Sequence, residues 1–99
     1  VRIRVASLAD VPLQTGLAVR HEQLEIALFR VGDEVYALEN ACPHLGAPLA
    51  EGYLAGNLVS CPFHAWEICV RTGSVQHNPS ICARVFPAEV VDGEVFITV

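Results

Sequence analysis

Two short segments constrain this chain more than anything else in it: Cys42-Pro43-His44-Leu45-Gly46 and Cys61-Pro62-Phe63-His64-Ala65-Trp66. The spacing is Cys-x-His, then 16 residues, then Cys-x-x-His. Each segment supplies one thiolate and one imidazole. Two irons can therefore be divided unequally, one held by sulfur and one by nitrogen, in a 2Fe–2S centre with mixed ligands. The competing reading of the same four donors is a structural zinc ion. Zinc fingers rarely use Cys-x-His as their first pair, and Pro follows Cys in both segments, so the iron–sulfur reading is preferred.

The rest of the chain must support such a site with few residues. At 99 residues it reads as one complete small domain spanning 1–99, with the metal-binding part at about 40–80. A chain this short buries a modest core, and bound metal commonly adds to the stability of such domains. Hydrophobic residues make up 53% and charged residues 17%, which favours a packed fold over disorder. The net charge is −5, from 11 acids against six arginines and no lysine, which argues against a nucleic-acid partner and suits docking to a basic protein surface. No apolar run approaches the roughly 18 residues needed to span a bilayer, and the first residues have no signal-peptide layout. The expected compartment is the cytoplasm, where four cysteines stay reduced or metal-bound.

Periodicity predicts an all-β fold. Strands are expected at Arg2–Val5, Leu17–Arg20, Glu25–Val31 and Glu34–Leu38, the last two joined by a turn at Gly32-Asp33. Ser7–Pro12 reads as a turn. A second hairpin is expected from Ala83–Phe86 and Val90-Val91 through Asp92-Gly93 to Glu94–Val99, because Asp-Gly between alternating apolar runs is a strong hairpin signal. Between the hairpins, residues 39–80 are rich in Pro, Gly, His and Cys. Only Leu58–Ser60 and Trp66–Ile68 look strand-like there. The expected architecture is a sandwich or barrel with a loop-built site at one end.

The donor set has an electronic consequence. Two ferric ions, two sulfides and two thiolates sum to a core close to neutral when oxidised and about one negative charge when reduced. Four thiolates would make each state two charges more negative. Imidazoles therefore make adding an electron easier, and such centres span roughly −150 to +300 mV against about −400 mV for plant-type ferredoxins. Gly46 allows a tight turn after the first His, and Pro43 and Pro62 stiffen the loops. Phe63 and Trp66 are candidates to shield the site from water.

On these residues the chain resembles the Rieske ferredoxin family. The resemblance runs from the Gly32–Leu38 hairpin through Glu39-Asn40-Ala41-Cys42-Pro43-His44-Leu45-Gly46-Ala47-Pro48-Leu49, Cys61–Glu67 and Arg71-Thr72-Gly73, to Val90–Ile97. It implies three antiparallel sheets with the cluster held by two loops at the tip. It also implies Cys42, His44, Cys61 and His64 as ligands, with the histidine edges as electron port. High-potential members carry a disulfide between the loops and a hydroxyl donor after the second His. Ala47, Phe63 and Trp66 stand in those places, which predicts a potential near the low end of the range. Ala65 stands where Gly is common.

The resemblance implies a one-electron carrier that is not itself an enzyme. It would take electrons from a flavoprotein reductase and pass them to the terminal oxygenase of a ring-hydroxylating dioxygenase. A small Rieske subunit bound to the large subunit of an NAD(P)H-dependent nitrite reductase is the alternative, and a zinc-stabilised interaction module is a third. Nothing in the chain resembles a nucleotide-phosphate fingerprint. Cys69 and Cys82 match no ligand position and read as small buried hydrophobes. His21 reads as exposed. His77, before Asn78-Pro79, is either a solvated loop residue or one that touches the cluster surroundings or a partner. Glu51 and Glu67 are candidates for an acidic docking rim.

Overall fold

Residue alternation explains the layering. Along Ile26-Ala27-Leu28-Phe29 every side chain is fully buried, yet successive side chains of a strand point to opposite faces. Such a strand must be covered on both sides. The computed structural model, which describes residues 1–43, 46–63 and 66–99, shows this arrangement. The central sheet is formed by β2 (Leu17–His21), β3 (Leu24–Val31), β4 (Glu34–Glu39) and β10 (Val85–Phe86), in the order β10-β4-β3-β2. Ile26 and Leu28 of β3, with Val35 and Ala37 of β4, face one apolar core. Ala27 and Phe29, with Leu38, face another.

The first core is closed by a three-stranded sheet of β1 (Arg2–Ser7), β12 (Glu94–Thr98) and β11 (Ala88–Val91), in the order β1-β12-β11. It contributes Ala6, Val95 and Ile97. Ion pairs Arg2–Glu89 and Arg4–Glu94 tie its strands at the exposed surface. The second core is closed by a five-stranded sheet of β5 (Tyr53–Ala55), β6 (Leu58–Ser60), β7 (Glu67–Cys69), β8 (Ser74–Val75) and β9 (Asn78–Cys82). Its register aligns Leu54 with Val59, Val59 with Ile68 and Ile68 with Val75, so one buried apolar row crosses four strands. All pairings are antiparallel, and the expected all-β fold with three sheets is what the structure shows.

Several expected elements differ in detail. Ser7 belongs to β1, and the turn after it is a short 3-10 helix, Leu8–Asp10. The strand expected at Ala83–Phe86 is only Val85–Phe86, and the one at Trp66–Ile68 is Glu67–Cys69. Among the described residues, the region 39–80 holds three further strands, β5, β8 and β9. They are short or polar, and β9 contains Pro79, so their pattern is too brief to show periodicity. His21 is half-buried, not exposed, because it ends β2 paired with Leu24 of β3. Cys82 is exposed and Cys69 half-buried, against the expectation that both are buried; they lie at the ends of β9 and β7. Among the described residues no helix is long and apolar enough to cross a membrane.

Candidate metal centre

Cys42 and Cys61 are both 2% exposed and belong to the same apolar core, the one between the central and five-stranded sheets. They start two loops closed in the same way. The Cys42 N–H donates to Ala47 O at 2.7 Å, and the Cys61 N–H donates to Trp66 O at 2.8 Å. In both loops the bond runs from the cysteine to the residue five positions later. The residues between include His44 in one loop and His64 in the other. These two histidines, with Leu45 and Ala65, lie outside the described residues, so the structure places the two thiols of the predicted set and not the two imidazoles.

The two loops are supported differently. The first leaves β4 and ends at a 3-10 helix, Leu49–Glu51, so it connects two sheets. Asn40 braces it: its backbone N–H donates to Glu25 O at 2.9 Å, and its side-chain Oδ1 accepts the Ala50 N–H at 2.8 Å. Gly46 has φ +75°, a conformation natural to glycine, and its N–H returns to Cys42 O at 2.8 Å. The Thr15 hydroxyl reaches both Ala50 O (2.9 Å) and Gly52 O (2.7 Å), and the Gly16 N–H donates to Ala50 O, strapping the segment 15–16 under the same helix. Neither Asn40 nor Thr15 was singled out by the sequence. An Asn two residues before a candidate metal cysteine was the available signal for the first, and Thr15 carried none.

The second loop joins β6 to β7 within one sheet, where Ser60 pairs with Glu67. Phe63 is 66% exposed, so only Trp66 takes the packed position expected of the pair. Trp66 is half-buried against the core that contains both cysteines. The ring of His77, an exposed residue before β9, meets the indole edge to face with centroids 4.9 Å apart and planes at 84°. His77 is thus an exposed turn residue that also contacts the second loop through Trp66. Glu51 and Glu67, which follow the first and second loops, are both exposed.

A linked group of polar residues flanks this core. Tyr36 donates to Glu34 Oε2 at 2.6 Å, and Arg71 lies over the Tyr36 ring with its Cζ 5.9 Å from the centroid. The hydrogen bond to Glu34, then burial and the Glu34 charge, hold the Tyr36 phenol above its ordinary range, with Arg71 opposing. Burial pushes the Cys69 thiol up, but the Thr72 hydroxyl, the N–H groups of Arg71 and Thr72 and the Arg71 charge together hold it below the usual thiol range. Cys69 and Cys82 are not joined by a disulfide.

Two buried thiols at matching loop positions fit a bridged metal cluster. The apolar backing limits water, and the thiolate charges gain most from metal there. The Rieske [2Fe-2S] domain family matches residues 1–87. The chain belongs to this family. Its cofactor is accordingly a Rieske-type 2Fe–2S cluster, and the zinc reading is set aside. The chain is 42% identical over 78 residues to the anthranilate 1,2-dioxygenase ferredoxin subunit of Burkholderia cepacia, covering 78% of this chain and 72% of that protein. It is 38% identical over 98 residues to the 3-phenylpropionate/cinnamic acid dioxygenase ferredoxin subunit of Escherichia coli K12, covering 97% and 92%. Among solved structures it resembles a chain in the complex of reduced oxygenase and oxidized ferredoxin in carbazole 1,9a-dioxygenase. There the TM-score is 0.87 and the identity 36%, with 97% of this chain and 100% of that chain covered. A Mycobacterium tuberculosis protein described as a putative NADH-dependent nitrite reductase small subunit has a TM-score of 0.88 at 24% identity, covering 98% and 93%, a likeness of fold alone.

Proposed function

We propose that this Rieske protein is a one-electron carrier, accepting an electron from a flavoprotein reductase and delivering it to the terminal oxygenase of a ring-hydroxylating dioxygenase. One observation carries the reading: two buried cysteines at the starts of two identically closed loops, each loop containing one histidine. The relatives named above support the assignment to a dioxygenase system, since both are ferredoxin subunits of dioxygenases. Residues 1–99 act as a single domain in this reading.

Cys42 and Cys61 would hold one iron and His44 and His64 the other. When bound, the cluster takes up and returns one electron. The chain's part is to hold the ligands in one geometry in both states and to present the histidine side to partners. Closed loops and a packed Trp66 serve the first task. Exposed Phe63, Glu51 and Glu67 beside the loops serve the second, with the acids suited to a basic partner surface. The chain performs no chemistry on a substrate in this account and works in the cytoplasm.

The test mixes the dithionite-reduced protein anaerobically with an oxidised ring-hydroxylating terminal oxygenase and follows both chromophores. Reoxidation of this protein with matching reduction of the oxygenase is the expected result. A fully loaded protein that exchanges electrons with sirohaem nitrite reductase and not with an oxygenase would transfer the role to the alternative system.

A further inference from the structure

Trp66 and His77 meet across two elements distant in sequence. Trp66 closes the second metal loop, accepting the Cys61 N–H, and packs on the core that holds both cysteines. His77 sits in the turn between β8 and β9. That turn is tied back to the metal hairpin, because the Gln76 N–H donates to Glu67 O at 2.9 Å. The edge-to-face geometry, 4.9 Å between centroids and 84° between planes, is the arrangement in which aromatic rings attract through their quadrupoles. An exposed histidine ring thus packs against a partly buried tryptophan.

We propose that His77 is a positioning residue for the metal centre: its ring braces Trp66, and through Trp66 it fixes the loop from Cys61 to Trp66 and limits water beside the cluster. The inference rests on the Rieske reading of Cys42, His44, Cys61 and His64. Its effect on redox chemistry has a definite sign. The reduced core carries more negative charge than the oxidised one. Water admitted beside it stabilises the more charged form. Removing the brace therefore raises the midpoint potential, while the ligand set stays intact.

Trp66 is the only tryptophan in the chain, so its fluorescence reports this one site. The experiment compares the loaded wild-type protein with H77A and H77F, reading midpoint potential, acrylamide quenching of Trp66 and the EPR spectrum of the reduced state. The expected result is an EPR signal retained in all three, with a higher potential and stronger quenching in H77A. H77F, which keeps an aromatic edge, returns both towards wild type. An unchanged potential in H77A, with or without altered quenching, overturns the role. So does an H77F protein that behaves like H77A, since a ring edge would then not be what matters. Should H77A fail to retain the cluster, H77Q replaces it in the same comparison. A wild-type protein with no EPR signal is a failure of the Rieske reading and is distinguished from these outcomes at the first step.

Discussion

The two cysteine loops close with the same hydrogen bond but owe their shape to different parts of the fold. The loop from Cys42 spans two sheets and depends on polar braces, with Asn40 and Thr15 gripping the Leu49–Glu51 helix. The loop from Cys61 is a hairpin end within one sheet. It depends on the β6–β7 ladder, on the buried row through Val59 and Ile68, and on Trp66. In the proposed centre a shared cluster requires both cysteines at once, yet each can be disturbed separately. The lesson is that two loops with the same closing bond need no similar scaffold.

The largest test of this comparison removes the thiols. Cys42→Ser and Cys61→Ser are each expected to abolish the visible chromophore and the bound iron and sulfide, measured on anaerobically purified protein. A variant that keeps a normal cluster would remove that cysteine from the ligand set. Next in size is Ile68→Ala, which empties a fully buried position beneath the second loop. It is expected to cost about 2–5 kcal/mol by denaturant unfolding. Asn40→Ala leaves the part-buried Ala50 N–H without its acceptor and is expected to cost about 1–3 kcal/mol. The two variants should differ in hydrogen exchange. Ile68→Ala loosens β6 and β7, and Asn40→Ala loosens residues 46–51. Identical exchange patterns would show that the two supports are one cooperative unit.

The smallest effect lies where the supports meet, at Tyr36 on the strand entering the first loop and Arg71 on the turn leaving the second sheet hairpin. The folded Tyr36 phenol titrates above its unfolded value of 10.0, because the Glu34 hydrogen bond, burial and the Glu34 charge favour the neutral form. Its contribution is therefore fully present below that value and is lost as pH rises through the raised one. Tyr36→Phe should flatten this alkaline loss of stability in thermal melts. Equal alkaline slopes in the two proteins would show that another group governs it.

Much of this was legible in the sequence because strong signals are local. The strand from Leu24 to Val31 and the turn at Asp92-Gly93, where both residues have positive φ, follow from alternation and turn chemistry. The spacing singled out Cys42 and Cys61, which the structure buries in one core. The braces were not, because Thr15 meets Gly52 only through the folded chain. Strands of two or three residues, such as Ser74–Val75, are too short to carry a period and owe their existence to their neighbours. The turn between β2 and β3 was hidden for a different reason. Glu22 adopts φ +56° where a glycine signal would be expected, so the ladder from Leu17 to Leu28 imposes a conformation that the residue does not favour. Cys82 was misplaced because hydrophobic character alone cannot tell an exposed edge strand from a core.

The central claim is that one cluster is held by two thiolates and two imidazoles from these loops. Pulsed EPR of the dithionite-reduced protein, alongside iron and sulfide analysis, tests it most directly. The account predicts a rhombic 2Fe–2S signal with coupling to two imidazole nitrogens, one coupling disappearing in each of H44C and H64C. A 2Fe–2S signal with no nitrogen coupling, or couplings that survive both substitutions, would contradict it.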